Sequence, residues 1–285
     1  MRPILLSVAV LCTIVTAASA EPRKVWEANG FKSPESALYD STADVIYVSN
    51  ANGDLMTKDG NGFISKLAPD GTVLELEWVT GLDSPTGLAL VDGTLYVNDW
   101  DQIVAIDIAS KAVKAHYEVP GAKFLNDLTS DRKGRVFASD MVTNTIWMLD
   151  GGKVSLFVQD DNLDNPNGLH VEEERILVAS WGKMAADFST KIPGHLKVVD
   201  LKTKSISDLG DPTPVGNLDG IAPDGAGGYH VTDWVKGGLF HVTKDGKALR
   251  VAALAPHSAD LCAGPGGSVI IPMMAEGTVF AFTVN

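Results

Sequence analysis

The sequence predicts an all-β fold, a six-bladed β-propeller with four antiparallel strands per blade. Three observations carry this. A degenerate repeat with a period near 40 residues recurs along the chain. Each repeat holds short strand-like runs separated by turn-forming pairs. The two ends of the chain complement one another: the last repeat lacks an outer strand, and the first is preceded by a strand of no other use.

Taken in order, residues 1–20 open with Arg2, continue as an apolar run, and end in Ala18-Ser19-Ala20 before Glu21-Pro22. This is the layout of a secretory signal peptide cleaved after Ala20, and it predicts a periplasmic or secreted protein. The mature chain, Glu21 to Asn285, is expected to be a single domain. It keeps 22 basic and 36 acidic residues, a net charge of −14. That balance argues against nucleic acid and anionic membrane surfaces as partners, since both require a basic patch. A small-molecule substrate is the expected partner, and a monomer the default state. The mature chain has one cysteine, Cys262, so its stability must come from packing rather than from an internal disulfide.

The segment RKVWEAN from Arg23 reads as a strand, and it is predicted to pair with the final strand, GTVFAFTV, as the outer edge of the sixth blade. Six repeats follow, beginning near Pro34, Ser84, Phe124, Asn165, Asn217 and His257. Each contains a polar corner, an apolar strand, a tight turn and a second strand of alternating β-formers. Two further strand-like runs complete each unit, for example QIVAIDI and AVKAHYEV, or TIWMLD and KVSLFVQ. Turn pairs such as Asp70-Gly71, Gly151-Gly152 and Asp245-Gly246 join them.

The corner residues are Glu35, Thr86, Asn126, Asn167, Asp219 and Ala259, spaced by 51, 40, 41, 52 and 40 residues. They are expected in the loops entering the innermost strands, converging on one mouth of the central channel. The two long gaps place insertions at Asn50 to Gly62 and Gly182 to Gly194, both predicted to overhang that mouth. Glu35, Asn126, Asn167 and Asp219 offer two carboxylates and two amide carbonyls, a hard oxygen set suited to one divalent cation. Calcium fits best, with magnesium, manganese and zinc the other candidates. A plainer reading exists for part of the set, because Asn167-Gly168 and Asp219-Gly220 are also turn pairs. It leaves Glu35-Ser36 and the common register unexplained.

Several neighbours are weaker candidates. Trp100, Trp181 and Trp234 end second strands at the same face and either line the pocket or pack between blades. Asp99 and Asp233 beside two of them are candidate turn closers. Asp127 and Asp260 follow corner residues and are candidates for orienting the ligands. His170 and His257 lie near corner residues and are candidate proton carriers. Lys183 and Lys191 in the second insertion would suit an anionic substrate. The sequence contains no nucleophile elbow, phosphate loop or HExxH motif.

Pro34-Glu35-Ser36, Phe124-Leu125-Asn126-Asp127, Asn165-Pro166-Asn167-Gly168-Leu169 and Asp219-Gly220 together resemble the senescence marker protein/gluconolactonase family, which includes regucalcin and has the paraoxonases as distant relatives. The resemblance spans the mature chain. It implies a six-bladed propeller with a catalytic divalent cation that hydrolyses lactones or related esters. By that likeness Glu35, Asn167 and Asp219 are metal ligands, and Asn126 contacts the metal or the substrate. Asp219 and Asn126 are then the expected catalytic residues, Asp219 relaying a proton. The chain departs from regucalcin-like members at Phe124, where they carry a sugar-binding Arg. Gly220 stands where paraoxonases often have Asn. The competing expectations are a non-catalytic propeller that binds a ligand or protein, and a metal-free, synthase-like propeller of the strictosidine synthase kind.

Overall fold

The computed structural model describes residues 23–284, apart from residues 54, 186 and 188. The predicted leader, residues 1–20, lies outside the described residues.

The described residues form six four-stranded antiparallel sheets around one axis, with strands in sequence order from the inside out in the first five. The inner strands of those five blades are Pro34–Asp40, Pro85–Val91, Leu125–Ser130, Pro166–Glu172 and Leu218–Pro223. The sixth blade runs Cys262–Ala263, Ser268–Met273, Thr278–Thr283 and, on its outer edge, Arg23–Asn29. Arg23 pairs with Thr283 and Asn29 with Thr278, so the first strand closes the ring as the sequence suggested. The edges that each end of the chain would otherwise expose are paired to each other.

Period-two alternation explains the packing between blades. Strand Val45–Asn50 is buried on both faces. Val45 and Tyr47 join the apolar cluster shared with the second blade, while Ile46 and Val48 join the cluster shared with the sixth. Tyr47 meets the Trp78 ring at 4.9 Å, and Phe137 meets Phe157 edge-on at 5.1 Å. Each blade interface is filled this way, so the core is a ring of apolar slabs rather than a single centre.

One register recurs in every blade. Pro34 pairs with Asn50, Pro85 with Asp99, Leu125 with Asp140, Pro166 with Ser180 and Leu218 with Asp233. In the sixth blade Ser258 bridges Met273. In the first five blades the register then slips, so that two residues of the inner strand face one of the second strand. This is a β-bulge, which bends the strand and re-aims a side chain.

The bulge corrects one expectation. The corner residues of these five blades are not in the entering loops. Each is the second residue of its inner strand, at the bulge itself. Five copies of one irregularity therefore turn five corner residues about the same axis. The second insertion folds as a small hairpin, Gly182–Met184 with Thr190–Pro193. Both insertions leave their blades beside residues paired with the start of an inner strand, at the corner-residue end of the channel.

Candidate metal centre

The bulges place Glu35, Asn126, Asn167 and Asp219 at one level of the channel, all buried. Each keeps one buried oxygen without a hydrogen-bond partner among the described residues: Glu35 Oε2, Asn126 Oδ1, Asn167 Oδ1 and Asp219 Oδ1. Buried polar atoms are normally paired, so four orphaned acceptors in equivalent places of a repeat call for an occupant. The other two corners do not join them. Thr86 Oγ1 donates to Leu125 O at 3.2 Å, and Ala259 has no donor.

The second strand holds the corners. Ser139 Oγ accepts from the Asp127 amide at 2.9 Å and donates to Asn167 O of the next blade at 2.7 Å. Thr232 Oγ1 accepts from the Gly220 amide and donates to Ala259 O at 3.0 Å. A hydroxyl opposite the bulge thus ties one corner backbone to the next. These residues were missed in the sequence, although Ser49, Ser139 and Thr232 occupy one position of the repeat, second from the end of the second strand.

The glycines after the corners are not turn residues. A Cβ on Gly168 would stand 2.2 Å from Asp219 O, and one on Gly220 would stand 2.3 Å from Leu261 N. They let adjacent inner strands approach closely at the ligand level. The turn-pair reading of Asn167-Gly168 and Asp219-Gly220 therefore fails.

Asp127 and Asp260 take this same post-corner position in their blades. Both Asp127 oxygens accept backbone amides, from Leu128 and Leu169, each at 2.6 Å. Asp260 accepts from Ser36 Oγ at 2.6 Å, and its amide donates to Glu35 O. They support the corner backbones from one layer further along the channel.

Burial, reinforced by the surrounding carboxylates, holds Glu35 well above the usual carboxylate range. Asp219 is raised in the same way, by burial and then by Asp260, against a hydrogen bond from the Asn167 side chain. Asp127 is likewise raised by burial and by Asp260. Burial pushes Asp260 up to about 7. A divalent cation would remove this strain.

The donors present suit such a cation. Two carboxylates and two amide oxygens are the hard set that calcium and magnesium take. Among the described residues no group of three or more His, Cys, Asp or Glu is placed to hold a metal.

Around the mouth, Trp181 packs on Trp234 at 5.7 Å, and Trp234 on His257 at 4.2 Å. Trp181 Nε1 donates to Thr190 Oγ1 at 2.7 Å, tying the hairpin to the rim. Lys58 of the first insertion lies over the Trp100 ring and pairs with Asp101 at 2.6 Å. Asp233 closes a turn by accepting the Val235 and Lys236 amides, while Asp99 and Asp233 also accept the Ser84 and Asn217 amides, respectively, ahead of the inner strands. Lys183 and Lys191 are exposed on the hairpin. His170 is placed elsewhere. With Asp127 and Asp260 it lines a cavity of about 340 Å³ toward the opposite end of the channel.

Comparison with known proteins agrees with the propeller fold. No curated protein matches the chain by sequence. Among solved structures, a gluconolactonase from Xanthomonas campestris superposes with a TM-score of 0.68 at 16% identity, over 93% of this chain and 89% of that one. A streptogramin B lyase superposes at 0.65 and 14% identity, over 93% and 97%. A chain of a nidogen/laminin complex does so at 0.65 and 14%, over 80% and 88%. At such identities these likenesses establish the shared propeller fold and no more. The family description "SMP-30/Gluconolactonase/LRE-like region" matches residues 33–268, most of the chain. The chain belongs to the SMP-30/gluconolactonase/LRE-like family.

Proposed function

We propose that the protein is a divalent-metal-dependent hydrolase of lactones or related esters, exported through its leader, with calcium as the cation. Four orphaned oxygens, in register at one end of the channel, carry this reading. Glu35, Asn126, Asn167 and Asp219 would hold the ion. When bound, such an ion polarises the ester carbonyl and lowers the pKa of water.

The chain's own groups do the rest. Asn167 stands at the equivalent position of the neighbouring blade, and its side chain lowers the Asp219 pKa against burial. Asp219 takes the proton of the attacking water as the water oxygen bonds to the carbonyl carbon. The ring C–O bond then breaks, and the leaving oxygen recovers that proton, giving a hydroxy acid. The Asn126 amide group would donate to the substrate. Burial of all four side chains excludes bulk water from the reacting atoms.

The test is hydrolysis of a panel of sugar, alkyl and aryl lactones by residues 21–285, with chelator and with calcium restored. Turnover lost with chelator and regained with calcium is expected. Oxygen from labelled water should appear in the product acid, which separates hydrolysis from elimination of the lyase kind. A folded protein that turns over none of the panel with any divalent ion would overturn the enzyme reading in favour of a binding propeller.

A further inference from the structure

The third residue before the end of each second strand is Tyr47, Tyr96, Phe137, Leu177, His230 and Ile270. Five blades place a large apolar side chain there, and all but Tyr96 are fully buried. The fifth blade places a histidine, only 5% exposed.

His230 makes no hydrogen bond among the described residues, and its Nδ1 is sealed from solvent. An unpaired polar group at a core position is costly, and besides His230 only Tyr47 of this set leaves a buried polar atom unpaired among the described residues. Burial, with His241 nearby, pushes the imidazole down to about 4, so the ring is neutral at ordinary pH.

His230 faces a cavity of about 580 Å³ between the fifth and sixth blades, well apart from the corner residues. The cavity exists because the sixth blade's inner strand is only Cys262–Ala263, followed by the tight turn Pro265–Gly267. The lining is mainly apolar, with Leu249, Val251, Val269 and Val284 among its residues. Leu249 stands 67% exposed at the edge.

The other polar side chains of the lining are committed. Asp224 accepts the amides of Ala226 at 2.6 Å and Gly228 at 2.8 Å, and also bonds His241 Nε2 at 2.8 Å. Ser268 Oγ donates to Pro265 O at 2.8 Å. Among the described residues no Lys or Arg lines the cavity.

We propose that this cleft between the fifth and sixth blades is a second binding site, for a neutral and largely apolar molecule carrying one hydroxyl group, which His230 receives. A neutral imidazole has one N–H donor and one acceptor, and a hydroxyl can serve either. An anion would find no cation, and the single carboxylate is already saturated. The cavity size is that of a small-molecule site. Such a ligand would meet the ring at Nε2, the nitrogen not sealed from the cavity, and cover the apolar walls together.

The experiment is titration of phenol and p-cresol into the calcium-loaded mature protein. It is read by calorimetry and by the ¹⁵N shifts of the histidine rings. Saturable binding that moves His230 resonances is expected. His230→Phe, the residue of the third blade, should weaken that binding about tenfold or more and raise Tm by roughly 2–4 °C. Lactone hydrolysis should not change. Val251→Trp, which fills the cleft and leaves His230 in place, should also abolish binding. Equal binding by wild type and both variants would overturn the proposal, as would no saturable binding by the wild type.

Discussion

Asn167 and Asp219 hold the equivalent bulge position in neighbouring blades, and each keeps one buried oxygen without a partner among the described residues. The pair is unsatisfied at these two atoms. Asn167→Ala or Asp219→Ala should therefore lower kcat/KM for lactones by about 10³-fold or more, the scale of losing a catalytic group and its ion. Circular dichroism should show both variants folded. Retained turnover in either would remove the site.

Cation removal should destabilise the protein, and the effect should grow with pH. The carboxyls of Glu35, Asp127, Asp219 and Asp260 are raised in the folded state. Between the ordinary carboxylate range and pH 7, the folded state holds protons that the unfolded state has released. Stability of the chelated protein should therefore fall as pH rises from about 4 through about 7. Calcium should raise Tm most at pH 7 and above, and little near pH 4. Differential scanning fluorimetry across pH, with chelator or calcium, checks both trends.

Gly168→Ala tests the close approach of the inner strands. Its Cβ would meet Asp219 O at 2.2 Å, a backbone atom that cannot swing aside. A loss of about 2–3 kcal/mol is expected, together with weaker cation binding because Asp219 must move. Chemical denaturation and calcium titration measure the two effects.

Ser139→Ala removes the hydroxyl that links Asp127 to Asn167. It leaves a buried amide and a buried carbonyl without that partner, at a cost of about 1–3 kcal/mol. Activity should fall less than in Asn167→Ala, since the ligand oxygen itself remains. Denaturation midpoints and lactonase rates together resolve the two contributions.

Deleting Arg23–Asn29 should open the ring. It would unpair strand Thr278–Thr283 along its outer edge and uncover Phe280, which lies under Lys24. Aggregation or strand exchange between copies is expected by size-exclusion chromatography with light scattering, and a stable monomer would contradict the closure.

Much of the fold was legible in the sequence because a repeat states one structural solution six times. The closing role of RKVWEAN followed from strand counting alone. The convergence of the corner residues was legible because equivalent positions of a propeller share one axis. The bulge that aims them was not, since a register slip leaves no mark in hydrophobic alternation. The two Gly residues after Asn167 and Asp219 misled for a related reason. A glycine needed for close approach looks, in sequence, like one needed for a turn. His170 looked like a neighbour of the site only because three residues along a strand is a short distance in sequence. In the channel it reaches the opposite end. The hydroxyl ties of Ser139 and Thr232 join different blades and could not be read from either strand alone.

Calcium titration of the metal-stripped protein tests the central claim most directly, with lactone hydrolysis followed in the same samples. The account predicts one tight site whose filling restores activity in proportion, and its loss in Asp219→Ala and Asn167→Ala. Full activity in stripped protein, or calcium binding unchanged in both variants, would contradict it.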